Sequence, residues 1–166
     1  NLGGLEIEKS RHRLATQPEA AAAASVLLEG AYRMLRPQDP APEILDRREG
    51  ALDLLEAGAD PRATAARHQI ALLAQFGYAW RLDVCAGCGS EENLGYFSPR
   101  RDQVVCTPCG APHAHRLDAL EGAMIGVMAE PDAVLDLEPA QWRQLFTMGM
   151  NALTRHAGRP LAAGEY

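Results

Sequence analysis

The residues in this chain best placed for chemistry are its four cysteines, Cys85, Cys88, Cys106 and Cys109. They form two Cys-x-x-Cys pairs, Cys85-Ala86-Gly87-Cys88 and Cys106-Thr107-Pro108-Cys109, separated by seventeen residues. Each short pair turns two sulfurs toward one point, and the segment between them is long enough to fold back as a hairpin, which is the spacing of a four-cysteine zinc site. Four thiolates fill the tetrahedral shell of zinc and leave no position for a water or a substrate. The spacing therefore predicts one zinc ion in a structural role. A redox dithiol pair and another thiophilic metal are the competing readings.

Zinc with four thiolates carries a formal charge of −2, so cationic neighbours are expected to offset it. Arg100 and Arg101 fall midway between the cysteine pairs and are the nearest candidates. Their plain role is charge compensation or solvation; their sharper role is contact with a nucleic-acid phosphate. His113 and His115 follow Cys109 closely, but with four cysteines already in register they read as surface histidines. His12, His68 and His156 have no partner pattern.

Other chemistry is sparse. The chain has no glycine-rich phosphate loop, no Gly-x-Ser-x-Gly elbow and no His-Glu-x-x-His helix. Glu91-Glu92, Asp132, Asp136 and Glu138 read as solvated acids, and Arg47-Arg48 as a helix surface. The 166 residues are 47% hydrophobic and 23% charged, with a formal charge of −6. That balance suits a globular domain and argues against a chain devoted to electrostatic nucleic-acid binding. Lys9 is the only lysine, so nearly all positive charge is arginine. The longest apolar runs are too short to span a membrane and the start lacks a signal pattern, so the expected compartment is the reducing cytoplasm, where paired cysteines bind metal.

The cysteine pairs must be held by the elements around them. Leu5 and Ile7 alternate with carboxylates as in a half-exposed strand. Thr16-Gln17-Pro18-Glu19 has capping-box spacing and an early-turn proline, and Ala24, Leu27, Leu28, Ala31 and Leu35 continue a helix over about 18–36. Ile44, Ala51, Leu52 and Leu55 mark a second helix closed by Gly58. A third begins at Pro61, carries Ala66, Ile70, Leu73 and Phe76 on one face and ends near Gly77. Leu94–Ser98 and Gln103–Val105 predict two strands joined by Pro99-Arg100-Arg101-Asp102. Leu117, Leu120, Met124, Val127 and Met128 mark a fourth helix; Trp142, Leu145, Phe146, Met150 and Leu153 mark a fifth, from Pro139 to Gly158. The expected fold is mainly α: a helical bundle from which an inserted four-cysteine, zinc-ribbon-like β-hairpin projects.

Phe76-Gly77-Tyr78, then Leu82-Asp83-Val84-Cys85-Ala86-Gly87-Cys88-Gly89, then Tyr96-Phe97-Ser98-Pro99 and Val104-Val105-Cys106 resemble the RecO family of bacterial DNA-repair proteins, in its C-terminal helical region with a zinc finger. The likeness covers nearly the whole chain. One departure lies at the hairpin turn, where Asp102-Gln103 stands in place of the family's usual Gly-Gly. The resemblance implies that residues 1–14 are a strand and linker left from an N-terminal oligonucleotide-binding (OB-fold) barrel that this chain lacks. Residues 15–80 and 116–166 are then the two parts of the bundle, and 81–115 the zinc-finger insert.

It also implies a non-catalytic recombination mediator. Such proteins bind and anneal single- and double-stranded DNA, contact RecR and the acidic C-terminal tail of single-stranded DNA-binding protein, and act in loading RecA. Cys85, Cys88, Cys106 and Cys109 match the family's zinc ligands position by position. An acidic tail needs a cationic rim around an apolar groove, for which Arg47, Arg143 and Arg155 are available. With the barrel missing, DNA binding by this chain alone is expected to be weak. The rival reading is a zinc-stabilised protein–protein interaction module with no nucleic-acid role.

Overall fold

A computed structural model describes residues 9–36, 41–110, 114–117, 120–130 and 135–157. Among them are six helices, α1 (His12–Thr16), α2 (Pro18–Met34), α3 (Pro42–Glu56), α4 (Pro61–Gln75), α5 (Glu121–Ala129) and α6 (Pro139–His156). Three strands, β1 (Leu94–Ser98), β2 (Gln103–Cys106) and β3 (His115–Arg116), form one antiparallel sheet in the order β2-β1-β3. The fold is mainly helical with an inserted hairpin, as the sequence predicts. The alternation around Leu5 and Ile7, His113, Asp132 and the helix stop at Gly158 lie outside the described residues.

Proline opens four of the helices, where its missing N–H costs nothing and its φ already suits the first turn. Asp60 caps α4 by accepting a hydrogen bond from the Ala63 N–H at 2.7 Å. The capping box expected at Thr16 and Glu19 does not form: Gln17 is the cap, and the Thr16 hydroxyl donates back to the Arg13 carbonyl. The glycine stops are as predicted. Gly58 and Gly77 take φ of +91° and +77°, and the N–H groups of Ala59 and Tyr78 bond back to the carbonyls of Leu54 and Leu73, a Schellman closure at each end.

Helix α4 is the axis of the bundle, packing against α2, α3, α5 and most extensively α6. A single apolar face is predicted for it, but nearly the whole run Thr64–Leu73 is buried, including His68 and Gln69. Helices covered on all sides need small residues to admit their neighbours, and Ala65, Ala66 and Ala71 provide that. Two apolar clusters result. One joins Leu14 of α1 to Ala20, Leu27, Leu52, Leu55 and Ala65; the larger joins Ile70, Leu72 and Leu73 to Leu120, Met124, Leu145 and Leu153. Leu28, one of the residues that mark α2 by their helical spacing, faces outward at 46% exposure.

The hairpin also differs from expectation in its attachment. Rather than projecting from the bundle, it is docked on it: Phe97 and Val104, paired across β1 and β2, lie in the larger core with Trp80, Trp142 and Met148. Phe97 meets Trp80 edge to face at 5.6 Å. The opposite face of the hairpin, with Tyr96 and Val105, belongs to a separate small cluster with Cys85 and Cys106. Successive strand residues point to opposite faces, so one short hairpin serves two cores.

Candidate metal centre

The two cysteine pairs are brought together by elements on either side of the hairpin. Before β1, the first pair is folded by Gly89 N–H bonding to the Cys85 carbonyl and by Cys85 N–H bonding to the Ser90 carbonyl. Ala86 N–H reaches the Val104 carbonyl and ties that turn to β2. The second pair ends β2 at Cys106 and continues through a 3-10 turn, Thr107–Cys109. Gly87 is needed by its surroundings, since a Cβ there would stand 3.0 Å from the Cys109 sulfur.

All four Sγ atoms lie within 4.8 Å of one another, and those of Cys88 and Cys106 are 3.7 Å apart. Four sulfurs at the ~2.3 Å zinc–sulfur bond length sit at the corners of a tetrahedron with edges of about 3.8 Å. The cluster therefore fits zinc in dimension as well as in donor type. Backbone N–H groups of Gly87 and Cys106 donate to the Cys85 sulfur at 3.3 and 3.2 Å. Burial pushes the Cys85 thiol up, but backbone donors from Cys106, Cys88 and Gly87 outweigh it and bring it down to about 6. Cys109 is pushed up to about 12 by the sulfurs of Cys106 and Cys88 beside it. Four thiolates crowded together repel one another, and a divalent cation at their centre is the simplest way to hold them all ionised.

With one zinc ion, Cys85, Cys88, Cys106 and Cys109 would supply its whole tetrahedral shell, and the metal would serve to fold the insert. Arg101 stands closest to that charge among the two arginines of the turn: its guanidinium donates to the Ala86 carbonyl inside the first cysteine pair at 3.2 Å. Arg100 is exposed, with no side-chain hydrogen bond or ion pair among the described residues.

The turn itself is pinned to the bundle. Arg155 of α6 donates to the carbonyls of Pro99 and Arg100 at 2.9 and 3.1 Å, and Tyr78 stacks on His156 at 3.8 Å. Asp102 has φ of +54°, the left-handed conformation that a glycine would take freely. Its carboxylate is buried and accepts a hydrogen bond from the Trp80 indole N–H at 3.3 Å. Burial raises the Asp102 carboxyl above the ordinary range, against the pull of Arg155 and Trp80. Spacing gave no sign of this Trp80–Asp102 pair, which joins residues twenty-two positions apart.

The arginines considered for a cationic rim separate. Arg143 and Arg155 lie on α6 beside the hairpin turn, whereas Arg47 lies on α3 close to His68. Arg48 is partly exposed and pairs with Glu49 at 3.3 Å, with its Nε buried. Trp142 is core, with the Arg67 guanidinium 4.9 Å from its ring centre.

Residues 15–164 match the family model described as Recombination protein O C terminal. The chain is also similar to proteins named DNA repair protein RecO. It is 30% identical to that of Agrobacterium fabrum over 99% of this chain and 64% of the relative, and 33% identical to that of Rhizobium rhizogenes over 72% and 47%. It is 39% identical to that of Xanthobacter autotrophicus over 48% of this chain and 33% of the relative. The chain thus spans between a third and just under two thirds of the length of these relatives.

Proposed function

Because the chain belongs to the RecO family of DNA-repair proteins through its C-terminal domain, we propose that it acts as the partner-binding part of a non-catalytic recombination mediator in the cytoplasm. The observation that carries this reading is the match across residues 15–164, with a four-sulfur cluster of zinc dimensions inside it. In this role the insert and bundle contact RecR and the acidic C-terminal tail of single-stranded DNA-binding protein, and assist strand annealing and the loading of RecA. Single- and double-stranded DNA bind weakly to this chain alone, Arg100 and Arg101 being its proposed phosphate contacts. The exposure of Arg100 on a turn fastened by Arg155 supports that assignment. The net charge of −6 supports weak rather than strong DNA affinity. No helix among the described residues is long and apolar enough to cross a membrane.

The test is a pull-down of this chain, beside a full-length relative, on immobilised RecR and on the acidic tail peptide, with a charge-scrambled peptide as control. Retention on RecR or the native peptide is expected. Loss of both interactions in chain and relative alike would leave only the rival reading, a zinc-stabilised interaction module without a nucleic-acid role.

A further inference from the structure

Between the hairpin turn and α6 lies a cleft of about 250 Å³, with Phe97, Pro99 and Met148 as its apolar lining and Asp102, Arg143 and Asn151 as polar groups. Pockets for drug-sized ligands run to ~300–1,000 Å³, so this one suits a smaller, flat group. The Asp102 residue is only 5% exposed, yet its single side-chain hydrogen bond among the described residues goes to Oδ1. Its Oδ2 has no such partner, and Asp102 is one of the residues that line the cleft. A carboxylate oxygen accepts several hydrogen bonds and donates none when ionised, so the missing partner is an N–H or O–H donor. Arg155 of α6 is engaged with the Pro99 and Arg100 carbonyls. Arg143 stands at the same cleft, and Arg100 is exposed on the adjoining turn, so a donor group attached to a phosphate chain meets complementary charge.

We propose that this cleft receives one unpaired nucleobase bearing an exocyclic amine, cytosine above thymine, which donates to Oδ2 of Asp102 while Arg143 meets the neighbouring phosphate. The proposal rests on the single-stranded DNA reading above and adds a base preference to it. Apolar side chains give the ring a surface to lie against, and an acidic acceptor is the partner that the cytosine amine takes. Thymine has the same ring with an added C5 methyl, and offers a carbonyl oxygen at that position, which would face the carboxylate.

The experiment is fluorescence anisotropy of labelled oligo-dC and oligo-dT of equal length, titrated with the zinc-loaded chain at low ionic strength. Oligo-dC is expected to bind about tenfold more tightly, the ratio one hydrogen bond to a charged group supplies. Asp102→Gly, which keeps the left-handed backbone accessible, should bring the ratio to about one. Trp80→Phe removes the indole donor but leaves the carboxylate, and should keep the preference. Arg143→Ala should weaken both oligonucleotides alike and lower the salt dependence. If Asp102→Gly does not fold, Asp102→Asn, which also suits that backbone, should still reduce the ratio. Equal binding of the two oligonucleotides by the wild-type chain, or a preference undiminished in the Asp102 variants, overturns this proposal and leaves the DNA reading intact. Binding of neither oligonucleotide overturns both.

Discussion

The insert and the bundle reach the folded state by opposite means. Around the cysteines, the buried apolar cluster amounts to Cys85, Val105 and Cys106 with Leu94, Tyr96 and Ala114 partly covered, far too little to fold a segment of that length unaided. Around α4, large side chains such as Leu27, Leu55, Ile70, Leu72 and Leu145 are fully buried, each worth about 1.5–3 kcal/mol. The bundle can therefore carry buried polar groups that have no hydrogen-bond partner among the described residues, as at His68 and Gln69, while the insert would draw its stability from a metal held by the four cysteines. What couples them is the alternation along β1 and β2, whose Phe97 and Val104 face one core and whose Tyr96 and Val105 face the other. Function is to be sought at that seam, because a closed zinc shell has no chemistry of its own to offer.

The largest effect should come from breaking the metal side. Cys106→Ser should abolish zinc binding and the amide protection of residues 85–110, while the helical circular dichroism persists. The bundle should nevertheless melt earlier, by the equivalent of about 3–6 kcal/mol, because Phe97 and Val104 lose their fixed place in its core. An unchanged midpoint with no zinc bound would show that the two regions are independent.

A smaller effect belongs to the bundle alone. Burial, aided by Arg47 and Arg48, lowers the His68 pKa to about 4. The unfolded chain, with an ordinary histidine near 6.5, takes up a proton first as the pH falls, so this contribution is complete above about 6.5 and is lost on the way down to about 4. The loss amounts to about 3 kcal/mol. Thiolates also release zinc in acid, so denaturant melts should be run in the Cys106→Ser background. His68→Leu should flatten the pH dependence there; an equal slope in both proteins would move its origin to another group.

Much of this arrangement is legible in the order of the residues. The cysteine spacing leads to the metal cluster, and Gly58 and Gly77 mark helix ends because a backbone at positive φ has few other occupants. Local signals fail where a residue's role is decided by distant neighbours. Helix α1 is one short turn with no side-chain cap, held by the packing of Leu14 against α2 and α3 and by the ion pairs of its N-cap residue Arg11 with Glu49 and Asp53 of α3. Alanines 65, 66 and 71 look like simple helix formers, so the sequence does not distinguish a central helix from an amphipathic one. Strand β3 is two residues long and follows no alternation. The docking of the hairpin depends on Trp80, Asp102 and Arg155, which no local period connects.

We infer that Cys85, Cys88, Cys106 and Cys109 enclose one structural zinc ion, and elemental analysis of freshly purified protein decides it. One equivalent of zinc per chain is predicted, removed by a chelator together with the protection of the insert. Less than half an equivalent of zinc, with the insert still protected against exchange, would contradict it.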